Sequence, residues 1–223
     1  MARRQTWGYA REPFLMTLRP ILLLMILAVL PLSAAASADA ALQRFVDGVR
    51  TLDARFEQTQ TDEKGAVLGR RSGSFQLSRP GQFRWSYDPP YEQLMVCDGQ
   101  RIWNYEPDLQ QATSRPAADV LRGTPAALLA QRSLLGDSFR IVSGGRDGRS
   151  EIVRLTPRSG DSDFQAIELW LDDGVPQRMR LQDALGGTTD IRFSQVRTGV
   201  KLEAARFRFS PPPGVEVIAD GGS

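Results

Sequence analysis

The chain contains no histidine, a single cysteine and no long apolar run. Without histidine there is no Ser-His-Asp or Cys-His catalysis, and most zinc sites are excluded. The one cysteine, Cys97, excludes an internal disulfide. At the end of the apolar stretch LMVCDG it reads as a small buried hydrophobe. The longest apolar run, ILLLMILAVL at residues 21–30, is shorter than the roughly 20 residues of an ordinary membrane span. No cysteine follows it closely, so there is no lipid-attachment box. An enzyme built from what remains would have to use a pair of carboxylates. Asp88, Glu92, Asp98 and Glu168 are the candidates, but they sit at turns or on polar strand faces, where solvated surface is the simpler reading.

What is present begins with a leader. Arg3, Arg4, Arg11 and Arg19 precede the apolar run, and PLSAAASA follows it with Ala36-Ser37-Ala38 as a small-residue exit. This is the layout of a cleaved export signal, so residues 1–38 are predicted to be removed and 39–223 to form one domain. Met16 is a second candidate start. Four arginines and Glu12 leave with the leader, so 28 basic and 26 acidic side chains become 24 and 25. The basic excess belongs to the leader. The remaining charges are interspersed, and no footprint for nucleic acid is left.

Beyond the leader, DAALQRFVDGVR at 39–50 predicts a helix with Asp39 as N-cap and one stripe of Leu42, Phe45, Val46 and Val49. From Leu52 the period becomes two, with Leu52, Ala54 and Phe56 on one side of a strand. In QFRWSYD, Phe83, Trp85 and Tyr87 alternate with polar residues in the same way. Turn signals recur at DEKG (62–65), Arg79-Pro80-Gly81, Asp98-Gly99, Asp147-Gly148, Asp173-Gly174 and Gly186-Gly187. Asp-Gly between strand-like runs is a strong hairpin signal. Ten or eleven strands in one strongly curved antiparallel sheet follow from this spacing. The exception is residues 114–135, where Thr124 and Pro125 open a short helix through Ala126, Leu128 and Leu129.

A lone sheet cannot bury both faces, and helices with one apolar stripe suit one of them. The apolar face is predicted to hold Phe56, Phe75, Phe83, Trp85, Met95, Trp103, Ile167, Leu169, Leu171, Met179, Leu181, Ile191 and Phe193. Tight helical cover makes this face a core, and loose cover makes it a cavity for an acyl chain.

The stretches LDARFEQTQTDEKG, RPGQFRWSYDPP, VCDGQRIWNYEPDLQQAT, GTPAALLA and LEAARFRFSPPPGVEV, in that order, resemble the outer-membrane lipoprotein carrier (LolA) family. The resemblance runs from Asp39 to about Ile218. It implies an unclosed β-barrel with a helical lid over an apolar cavity, in a soluble, monomeric periplasmic shuttle rather than an enzyme, without cofactor or metal. It further implies triacylated lipoproteins as cargo, received from an ATP-driven inner-membrane release complex and delivered to an outer-membrane lipoprotein receptor. Each CH₂ exposed to water costs roughly 0.8 kcal/mol, so acyl chains need such an escort. By the resemblance, Phe56, Phe83, Trp85, Leu128 and Leu129 line the acyl-chain cavity, each with core packing as its plainer alternative. Arg79 is the lid lock that hydrogen-bonds lid backbone. Ala126 and Ala127 depart from relatives with bulkier lid residues. The competing readings are a receptor or sensor of the same fold that binds envelope lipid or lipoprotein, and a carboxylate-based glycan-active enzyme.

Overall fold

The computed structural model describes residues 32–117, 129–130, 139–158 and 164–219, with side chains from Ala38 onward. Helix α1 (Leu32–Gln43) continues as one π turn over Arg44–Gly48. It begins before the expected cap at Asp39, because the alanine-rich LSAAASA is itself strongly helix-forming. The expected stripe of Leu42, Phe45, Val46 and Val49 is buried, extended N-terminally by Ala38 and Ala41.

Twelve strands follow among the described residues: β1 (Thr51–Thr61), β2 (Val67–Ser78), β3 (Gln82–Tyr87), β4 (Gln93–Asp98), β5 (Arg101–Glu106), β6 (Gln111–Pro116), β7 (Phe139–Asp147), β8 (Ser150–Pro157), β9 (Phe164–Asp172), β10 (Val175–Asp183), β11 (Thr188–Thr198) and β12 (Glu216–Ala219). They form one sheet in the order β12-β6-β5-β4-β3-β2-β1-β11-β10-β9-β8-β7, whose two edges do not pair with each other. The expectation of a wholly antiparallel sheet of ten or eleven strands needs correction. β12 is an additional strand that runs parallel to β6. It is not reached by a hairpin but by the segment after β11, which returns along the other face.

The turns follow their residues. Asp173 and Gly174, between β9 and β10, both have positive φ (48° and 79°), as a type I′ turn requires. In the β1–β2 hairpin the Asp62 carboxylate accepts the amides of Lys64 and Ala66.

One face of the sheet, here the inner face, forms the main core. Phe56, Phe75, Phe83, Trp85, Ile167, Leu169, Leu171, Met179, Leu181, Ile191 and Phe193 pack with the α1 stripe, and Met95 lies partly buried against them. Trp103 does not join them. The register sets Cys97 opposite Ile102 and Val96 opposite Trp103, so Ile102 faces inward and Trp103 outward. Trp103 and Tyr105 instead pack against Phe209, at 5.5 and 5.3 Å between ring centroids. Phe209 and the buried Phe207 belong to the segment that leads from β11 back across the outer face to β12.

The topology also defines a crossing. β6 lies next to one edge of the sheet and β7 forms the other, and the chain between them includes the described pair Leu129 and Ala130. Within this connection Leu129 and Ala130 are helical, buried and part of the inner-face core.

Candidate functional site

Alternation along β1 and β3 places Phe56, Phe83 and Trp85 on the inner face, and the register brings them together through β2. Phe75 stands opposite Trp85, and Gly73 opposite Phe56. Phe56 and Trp85 rings lie 4.3 Å apart between centroids, Phe75 and Trp85 4.9 Å, and Trp85 and Phe193 6.3 Å. All four are buried. Gly73 makes this stack possible. A Cβ there would stand 2.7 Å from the Phe56 ring and 2.0 Å from the Ser86 carbonyl oxygen, so only glycine lets the ring lie across β2.

Leu129 is buried in the same cluster, so the structure brings four of the five expected cavity residues onto one continuous apolar surface. Leu128, with Ala126 and Ala127, lies outside the described residues. The Trp85 indole N–H reaches no acceptor with hydrogen-bond geometry among the described residues. Beside it, burial pushes the Tyr87 hydroxyl pKa up, and that hydroxyl donates to Gln58 Oε1 at 3.0 Å.

Arg79 follows β2 at the turn into β3. Its Nε donates to the Val49 carbonyl and its Nη1 to the Ala130 carbonyl, each at 2.9 Å. The guanidinium lies over the Phe45 ring, 4.8 Å from its centroid. One side chain therefore ties the end of the N-terminal helical segment and the β6–β7 crossing to the sheet. A planar guanidinium with five donors suits carbonyls at helix ends, which lack intrahelical partners. Nη2 has no partner among the described residues. Burial lowers the Arg79 pKa to about 10, with nearby Asp47 acting in the opposite direction, so the cation persists near neutral pH. Sequence reasoning singled out Arg79 but missed two of its partners, Val49 and Phe45. They were visible only as members of a helical stripe.

Three of the four carboxylates considered for catalysis, Asp88, Asp98 and Glu168, are engaged in structural contacts. Asp88 pairs with Arg55 and accepts from Ser72, and Arg55 first among these holds its pKa below the ordinary value. Glu168 pairs with Arg154, and Asp98 accepts the turn amides of Gln100 and Arg101. Among the described residues no helix is long and apolar enough to cross a membrane.

Comparison with known proteins agrees with this architecture. The profile of "Outer membrane lipoprotein carrier protein LolA" matches residues 47–210. An outer-membrane lipoprotein carrier protein of Methylibium petroleiphilum is 43% identical over 196 residues, covering 86% of this chain and 96% of its own. Another, from Dechloromonas aromatica, is 39% identical over 193 residues, covering 86% and 93%. A crystal structure of an uncharacterised conserved protein from Thermus thermophilus shares the fold, with TM-score 0.53 and 17% identity over 82% of this chain and 99% of its own. The unclosed sheet, its covered apolar face and these relatives lead to one conclusion: the chain belongs to the outer-membrane lipoprotein carrier (LolA) family.

Proposed function

We propose that this protein is a periplasmic carrier that shelters the acyl chains of lipoproteins between the two membranes of the envelope. In this reading it accepts triacylated lipoproteins from an ATP-driven inner-membrane release complex and hands them to an outer-membrane lipoprotein receptor. The leader is removed after Ala38, which shortens α1 and leaves a new N-terminus at Asp39. Binding and release suffice for this role, and no covalent bond is made or broken.

The observation that carries the reading is the Arg79 tie over the apolar face. Phe56, Phe83, Trp85, Leu128 and Leu129 are the acyl-chain surface, and among the described residues Phe56, Phe83, Trp85 and Leu129 share one buried cluster. An incoming acyl chain replaces Leu129 and its neighbours against the aromatic cluster, which breaks the bond from Arg79 to the Ala130 carbonyl. Cargo is thus held by apolar burial, and the broken bonds favour its release. The closed state returns when a receptor offers the acyl chains a better site.

Purification from periplasm followed by mass spectrometry tests this. The expected material starts at Asp39, and part of it carries acylated proteins. Failure to recover any acylated protein, together with failure to release lipoprotein from membrane vesicles containing the release complex, would overturn the reading.

A further inference from the structure

The inner face changes character toward one end. On β1 the inward sequence is Leu52, Ala54, Phe56, then Gln58, and on β3 it is Phe83, Trp85, then Tyr87. Register places Arg71 opposite Gln58 and Gln93 opposite Tyr87. These side chains are linked into a polar row. Tyr87 donates to Gln58, Arg71 reaches Gln93 Oε1 at 3.5 Å, Gln93 donates to Asn104 at 2.9 Å, and Asn104 donates to Glu106 at 2.8 Å. The apolar interior therefore ends in a hydrogen-bonded polar collar.

Arg71 is the cation of this collar. It is exposed and forms no ion pair among the described residues; its guanidinium lies over the rings of Tyr87 and Tyr91, 5.5 and 5.9 Å from their centroids. Beside it opens a pocket of about 410 Å³, to which the inward register contributes Gln58 and Arg71 and the outward register Glu57, Arg70, Ser72 and Asp88. Asp88 is already neutralised by Arg55. Glu57, also in the lining, is exposed and stands opposite Arg192 on the outward register. Among the described residues Arg71 is thus supported by two aromatic rings and makes one side-chain hydrogen bond, to Gln93.

We propose that this collar is a head-group subsite, in which Arg71 donates to the acidic or carbonyl oxygens at the polar end of an acyl ligand whose chain lies on the Phe56–Trp85 surface. The inference rests on the carrier reading, since it needs an acyl chain beside those rings. An amphipathic ligand matches the site along its length. The apolar chain meets Trp85 and Phe56, and its first polar atoms fall at the level of Tyr87 and Arg71. A guanidinium suits such oxygens because several N–H groups lie in one plane.

Titration of the full-length mature protein with laurate, 1-monolaurin and 1-dodecanol tests the subsite. These probes share a chain length and differ in the head. Laurate is expected to bind about tenfold more tightly than dodecanol, the factor that a charge-assisted hydrogen bond supplies. Monolaurin distinguishes an ester carbonyl, as in an acylated glycerol, from a free acid. In Arg71→Gln the preference should disappear while dodecanol affinity stays unchanged, and Arg71→Lys should restore part of it. Equal affinities for laurate, monolaurin and dodecanol in the unaltered protein, or an equal loss of preference in Arg140→Gln, an exposed arginine on β7 outside this pocket, would overturn the subsite alone. Binding of none of the three would overturn the carrier reading along with it.

Discussion

Replacing Arg79 by leucine separates the energy of closing from the energy of folding. The side chain makes two hydrogen bonds with different consequences. The bond to Val49 joins the end of the N-terminal helical segment to the turn after β2. In the carrier reading that bond persists when the lid lifts, and only the bond to Ala130 is lost. Hydrogen bonds to charged groups contribute roughly 1.5–3 kcal/mol each. Losing the Ala130 bond therefore shifts the closed–open equilibrium by about that amount, a factor of roughly 10 to 150. Global stability falls less than the two bonds suggest, because the buried cation is itself costly, as its pKa of about 10 shows. Arg79→Leu is accordingly expected to fold and to accept lipoprotein, but to release it poorly, because the closed state no longer competes with cargo. Arg84→Leu is the control, since Arg84 lies on the other face and bonds to the Arg206 carbonyl. The assay is transfer of radiolabelled lipoprotein from preloaded carrier to purified receptor. Normal transfer by Arg79→Leu would refute the reasoning and reduce Arg79 to a turn residue.

Trp85→Ala distinguishes a binding surface from a passive core. A packed core aromatic loses about 3–5 kcal/mol on truncation, and the carrier reading expects a smaller loss in denaturant melts with a clear fall in fluorescent fatty-acid affinity. Gly73→Ala should destabilise by about 1–3 kcal/mol through overpacking against Phe56 and Ser86, and an unchanged melting curve would show that the strands yield freely. Burial would raise the Asp190 pKa, but Arg178 and Arg180 outweigh it and the net direction is downward. A carboxylate with a lowered folded pKa contributes stability above its ordinary value of 3.8 and loses it as pH falls toward the folded pKa. Asp190→Asn should therefore remove part of the stability difference between pH 6 and pH 3, measured by urea titration at each pH, and an undiminished difference would place the acid sensitivity elsewhere.

The helical stripe of Leu42, Phe45, Val46 and Val49, the alternating strands and the Asp-Gly turns were legible in the sequence because each depends on neighbours within a few residues. The pairing of Phe83 with Trp85 on one face was legible for the same reason. Tertiary structure decided what depends on distant partners. Alternation says which side chains share a face within a strand, but not which face its neighbour presents, so only register turns Trp103 outward against Phe209. The parallel β12 lay beyond local reading, since its partner β6 is far away in the chain. Gly73 carried no sign of the Phe56 ring that requires it, and Arg79 none of the Val49 carbonyl and Phe45 ring it also meets. The polar collar arose in the same way, from six residues on five strands that only the sheet's register sets side by side.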